Sequence, residues 1–259
     1  MLSLVIVAAT AAATPAQGHA AAIAAAERAF AARAQSEGQW RTFRATAAPD
    51  AVMFVPTMKP IVQALAGLPE PAVPVMWWPA IVAPACDGSL GLSTGPWVRA
   101  ATAGTGTFTT IWRRQGTGYR WVLDHGRSTP RLLPAGQTPT VLAPVCGGSD
   151  VATRGAAYET LARSMEAAAG TQGASAFASH AADDVIVQAE DALPVRGPSA
   201  LPRVRFGDAL ASGRSDDWTL AWASRSLLGG APGAHDLRVW QWRGREGWRL
   251  VLYETIGVK

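Results

Sequence analysis

Lysine is almost missing from this chain: Lys59 and Lys259 are the only two in 259 residues. Arginine supplies the rest of the positive charge, and the net charge is +4. The excess lies in the first half, where residues 21–129 hold ten basic and six acidic side chains, while residues 151–259 hold twelve of each. The ten are spread along that half. Nucleic acid is gripped by a clustered basic face or stripe, so it is not an expected partner. Cysteine is scarce as well, with Cys86 and Cys146 alone. Neither has a histidine at zinc-ligand spacing, and no metal site or cofactor is expected. The chain also lacks a Gly-rich phosphate loop, a nucleophile elbow and a zinc-binding helix. Its "GTGTF" (104–108) and "GGAPGAHD" (229–236) read as hairpin turns. Nucleotide-dependent and hydrolase chemistry therefore have no motif to rest on. No apolar run reaches the roughly 20 residues of a membrane-spanning helix, so no stable membrane insertion is expected.

The apolar run that does occur is at the start. "MLSLVIVAATAAATPAQGHA" has a hydrophobic stretch from Leu2 to about Ala13, followed by small residues. That is the pattern of a secretory signal peptide, assigned to residues 1–20, with cleavage after Ala13, Ala16 or Ala20. Its n-region has no Lys or Arg, only the amino terminus; the other reading is an Ala-rich extension of the first helix. Export implies a periplasmic or secreted protein and an oxidising compartment. Two cysteines then permit one disulfide, Cys86–Cys146; separate buried thiols are the alternative. The bridge would close a loop of about 60 residues, for which chain entropy gives about 4 kcal/mol.

What the chain has in abundance is tryptophan, 11 in all, and a repeat. "YRWVLDHG" (119–126) returns as "WRLVLYET" (248–255), each after a Trp-bearing strand and a Gly-rich turn. In the first half an Ala-rich helix over 20–37, with Ile23 and Phe30 seven apart, ends at Gly38. A short helix follows over about 40–47, then a strand from "APDAVMFVP". In the second half Tyr158, Leu161 and Met165 lie at helical spacing, Phe177 begins a short helix, and "AADDVIVQ" enters a strand. Each half then reads as a further helix and three antiparallel strands. The Pro- and Gly-rich segment 130–150 reads as a linker, in which "TVLAPV" is either a strand or a covering segment. The division is thus 21–129, 130–150 and 151–259.

The second half resembles the nuclear-transport-factor-2-like superfamily through "FASHAADDVIVQAEDALPVRGPSAL" (177–201) and the closing "WRLVLYE". The first half resembles the same superfamily through "FRATAAPDAVMFVP" and "GTFTTIWRRQGTGYRWVLDHG", and there it is most similar to SnoaL-like members from exported bacterial proteins. Its Pro-rich stretch 56–86 departs from the pattern, with no Gly before the third helix. The resemblance implies an α+β fold of two tandem cone-shaped domains, each a curved antiparallel sheet wrapped on helices. It implies a cavity at the wide end of each cone, used in the family for small ligands, steroid isomerisation or polyketide cyclisation, or else filled. It also implies face-to-face packing of two sheets, here within one chain as a pseudo-dimer.

Candidate site residues are few. Asp124 and His125 are adjacent on a strand, so their side chains point to opposite faces. His125 is expected to share a face with Tyr119, Trp121 and Leu123, as a general base or as a rim histidine. The equivalent positions are Tyr253 and Glu254; Glu254 is expected on the face of Trp248, Leu250 and Leu252, where an apolar cavity would raise its pKa. Asp183 and Asp184 form an acid–base pair or end a short helix, and His180 lies just before them. The Asp, Tyr and protonated Asp of ketosteroid isomerases do not map onto this chain. Trp112, Trp121, Trp240 and Trp248 form either core or an aromatic ligand floor. The reading is non-catalytic: a binder of a small apolar molecule or a cell-envelope interaction module. The alternative is an isomerase, dehydratase or cyclase using acid–base groups in one cavity.

Overall fold

A computed structural model of the chain describes residues 14–102 and 104–258. The apolar stretch of the expected signal peptide lies outside them. Helix α1 (Pro15–Glu37) starts earlier than the sequence pattern suggests, because Thr14 and Gln17 cap it reciprocally and Pro15 stands at its first position. Gly38 stops it at φ 104°, a conformation other residues avoid. Its buried stripe runs through Ala16, Ala20, Ile23, Glu27, Phe30 and Ala34, an apolar helical face with one carboxylate in it. Helix α2 (Gln39–Thr46) follows, then β1 (Ala47–Phe54), β2 (Met58–Pro60), the single-turn α3 (Ile61–Ala64), β3 (Met76–Trp77), β4 (Ile81–Pro84), β5 (Leu90–Arg99), β6 (Gly104–Gln115), β7 (Gly118–Ser128) and β8 (Thr140–Val141). The second half has α4 (Val151–Gln172), a 3-10 turn (Gly173–His180), β9 (Ala181–Gln188), β10 (Val195–Arg196), a second turn (Pro198–Ala200), β11 (Arg205–Arg214), β12 (Leu220–Leu228), β13 (His235–Trp242) and β14 (Trp248–Ile256).

The strands form two sheets, ordered β2-β1-β7-β6-β5-β4-β8 and β10-β9-β14-β13-β12-β11. The fold is α+β, with two tandem cones. The long strands of both sheets pair antiparallel, except that the strand following the helices joins in parallel: β1 with β7, and β9 with β14. The second sheet has four long consecutive strands rather than three, because β11 is a full strand at its edge. Segment 130–150 supplies β8, which pairs with β4 in parallel, so part of it is built into the first sheet. Asp183 and Asp184 lie within β9 and are exposed; they do not end a helix. Cys86 and Cys146 are joined, with an S–S distance of 2.02 Å across 60 positions.

The repeat reaches down to a defect in strand pairing. In the first half Ile111 pairs with Leu123 and Trp112 with Trp121, leaving Val122 as an extra residue. In the second Val239 pairs with Leu252 and Trp240 with Leu250, leaving Val251 extra. Each bulge flips the face of every residue beyond it. This corrects two expectations. His125 does not share a face with Trp121, whose indole N–H donates to the Phe43 carbonyl under α2. Glu254 likewise leaves the face of Trp248 and Leu250. Both residues instead turn to the other sheet, where Leu123, Leu237, Val239 and Leu252 belong to one apolar cluster.

Candidate ligand-binding cavities and the buried polar network

Between the sheets, polar side chains of the two halves bond to one another. Glu254 accepts from Thr109 Oγ1 at 2.7 Å and from His125 Nε2 at 2.7 Å. His235 donates Nδ1–H to the Gly233 carbonyl at 2.8 Å, so its Nε2 must accept from His125 Nδ1, 3.0 Å away. His125 thus joins Glu254 to His235 through its two ring nitrogens. Phe54 stacks on His235 with ring centroids 3.4 Å apart. Burial works against the Glu254 charge, but the hydrogen bond and charge of His125, with the Arg127 charge, hold its pKa below the usual range. The expectation of a raised Glu254 pKa is therefore overturned. Burial and the neighbouring His125 push His235 down to about 3. Alongside, Gln188 accepts from Thr107 at 2.9 Å and from Arg127, and Arg127 also donates to the carbonyls of Ala189 and Ala192. These groups satisfy one another and leave no open position for a reactant.

Inside the first cone, Glu27 is 0 % exposed. It accepts from Trp77 Nε1 (2.6 Å), Ser93 Oγ (2.5 Å) and Trp112 Nε1 (2.9 Å). Burial raises its pKa against those three bonds. Asp124 accepts from Thr110 Oγ1 at 2.8 Å; burial first, then the Glu27 charge, push its pKa well above the carboxylate range. Asp124 and His125 both border a cavity of about 300 Å3 walled by Trp40, Trp77, Trp97 and Phe108. Their side-chain partners lie on opposite faces, as adjacent strand residues require.

The second cone holds a larger cavity, about 500 Å3. Helix α4 contributes Tyr158, Leu161 and Met165, the stripe read from the sequence, and the sheet contributes Trp222 and Trp240. β11 brings the small residues Ala209, Ala211, Ser212 and Gly213 to this wall beside Leu210 and Arg214. At one side Arg238 lies between two rings, its guanidinium carbon 5.4 Å from the Phe177 centroid and 5.2 Å from that of Phe206. Its Nε is 3.0 Å from Asp236 and its Nη1 3.4 Å from Glu166. Glu166 also pairs with Arg225. Burial lifts Asp236 to about 6 despite the Arg238 and Arg225 charges. Beside it the Tyr253 hydroxyl has no partner, and burial with the Asp236 charge raises its pKa well above the usual phenol.

Of the aromatic floor expected from the sequence, Trp240 alone lines either cone cavity. Trp112 and Trp121 are core, the first tied to Glu27 and the second to Phe43. Trp248 donates to the Arg154 carbonyl and borders a shallow surface hollow shared with half-buried His180. Asp183 and Asp184 border another hollow with Arg243 and Arg249, remote from the Glu254 network. Sequence reasoning missed Glu27, Glu166, Asp236 and Arg238. The first carries a readable signal, a carboxylate between Ile23 and Phe30 on an apolar helical stripe. Among the described residues no group of three or more His, Cys, Asp or Glu is placed to hold a metal ion. No helix among them is long and apolar enough to cross a membrane.

No family model matches the chain, and no curated protein matches it. Among solved structures, the chain is similar to an NTF2-like protein from Bacteroides fragilis NCTC 9343, at 9 % sequence identity and a TM-score of 0.23, over 88 % of this chain and 95 % of that one.

Proposed function

We propose that this is an exported pair of SnoaL-like cones whose second half holds a small, largely apolar molecule without transforming it. The observation that carries the reading is the second-cone cavity. Its volume of about 500 Å3 and its wall of Leu161, Met165, Trp218, Trp222 and Trp240 suit a small ligand. Ligand sites typically occupy about 300–1,000 Å3 with mostly apolar linings. Hydrogen bonds between the sheets, such as Thr109 to Glu254, support an intramolecular pseudo-dimer in which one half braces the other. Export is supported by the disulfide, which belongs to an oxidising compartment. Isothermal titration with octan-1-ol tests the binding reading. The wild type should show saturable binding, and Ala223→Trp, which projects into the cavity from β12 on the face of Arg238, should abolish it. No binding by the wild type, or equal binding by the variant, would refute the assignment.

A second reading is favoured by one observation in the first cone. Asp124 is a carboxyl whose pKa is raised well above the usual range at the wall of an aromatic cavity. A neutral carboxyl can donate a hydrogen bond or a proton to a carbonyl oxygen. This supports the isomerase, dehydratase or cyclase alternative, with Asp124 as the acid.

A further inference from the structure

The second cavity has a donor to spare and no spare acceptors. Arg238, on the strand face that looks into it, has its Nη2 without a hydrogen-bond partner among the described residues. The residue is 3 % exposed. A buried donor left unpaired is costly, and such groups usually meet a partner when the site is filled. None of the lining residues presents a buried carbonyl or carboxylate oxygen of the side chain that lacks a donor. A ligand that completes this wall must therefore bring acceptors.

The charges point the same way. Three guanidinium groups line the cavity, Arg214, Arg225 and Arg238, against a single carboxylate, Glu166. Glu166 is already shared between Arg225 and Arg238. Asp236 lies behind Arg238 and is not part of the lining. Arg214 has no carboxylate within ion-pair distance among the described residues; its guanidinium carbon rests 4.0 Å from the centroid of Trp218. The positive excess thus faces a largely apolar space. A planar guanidinium fork matches the two oxygens of a carboxylate bidentately, and a carboxylate carries the single charge that suits a largely apolar space.

We infer that the second cone takes a carboxylate-headed apolar molecule, its head at Arg238 and its body against Leu161, Met165 and Trp240. The inference rests on the cavity reading above and narrows it to one ligand class. Titration of the full chain at pH 7 with octanoate, beside octan-1-ol and octylamine, tests it. Octanoate should bind about tenfold or more tightly than octan-1-ol, since charge-assisted hydrogen bonds exceed neutral ones by that order. Octylamine should bind more weakly than either. Arg214→Gln, at the solvent-exposed side, should narrow the gap between acid and alcohol by weakening acid binding more than alcohol binding. Equal affinity for acid and alcohol, or a preference for the amine, would overturn the carboxylate inference and leave the cavity reading standing. Binding of none of the three would overturn both.

Discussion

Glu254 accepts from two side chains of the opposite sheet, and His125 joins it to His235. Removing one member strands the others in a dry interface. Glu254→Ala should therefore cost about 3–5 kcal/mol, as for other broken buried pairs. The network also sets an acid limit. His235 titrates near 3 in the folded chain against 6.5 for the free side chain. Between those values the unfolded chain binds the extra proton, so stability is complete above about 6.5 and is lost as pH falls toward 3. Glu254, with its lowered pKa, works in the same sense at still lower pH. Asp236, raised to about 6 from 3.8, works in the opposite sense: its contribution is complete below 3.8 and is lost as pH rises through 6. The charged groups facing His235 and Glu254 are His125 and Arg127, with Glu190 nearby. Urea unfolding between pH 4 and 7.5 should show stability falling on the acid side. His235→Gln should be less stable at pH 7 and have a shallower acid slope. An unchanged slope would mean that His235 does not carry the effect.

Helix α1 meets the first sheet where β5 has no side chain to offer. A Cβ at Gly91 would stand 2.1 Å from Ile23 Cδ1. Gly91→Ala should destabilise by about 1–3 kcal/mol through overpacking. Ile23→Val removes that methyl, so the double variant should recover part of the loss, a coupling that thermal unfolding of both singles and the double would measure. If the two changes add, the helix does not lie where Gly91 admits it. Helix and strand order were legible in the sequence because 3.6-residue and two-residue periods survive in α1, α4 and the paired Trp strands. The bulges at Val122 and Val251 were not, since one extra residue leaves no mark on composition yet reverses the faces of Asp124, His125, Tyr253 and Glu254 relative to the tryptophans. Strand β13 hid its chemistry differently. Asp236, Arg238 and Trp240 face the second cone while His235, Leu237 and Val239 face the first sheet, so both faces are buried. Alternation then separates two interiors rather than inside from outside. Of the strand's polar residues, Arg238 lines the cavity and Asp236 lies behind it.

Across the whole molecule, one half supplies support and the other space. The Cys86–Cys146 bridge ties β4 to the segment leading into α4, and the Cys86 N–H donates across to Thr219 at 2.8 Å. Loops at the far edge exchange bonds in both directions, Asp87 N–H to Asp217 at 3.1 Å and Asp216 N–H to Ser89 at 2.9 Å. The second cone is thus held from behind while its cavity faces α4 and β11. Ala16 and Ala20 are buried in α1 and Thr14 caps it. Of the three cleavage sites expected under the proposed export, the one after Ala13 would leave this helix whole. The most direct measurement is a comparison of native and denatured masses of the chain exported to a periplasm and gently purified. The account predicts a small-molecule adduct in the native state, lost on denaturation and absent from Ala223→Trp, on a chain that begins at Thr14 and retains its disulfide. An adduct equally present on Ala223→Trp, or a wild type that carries none and cannot be loaded with octanoate, would contradict it.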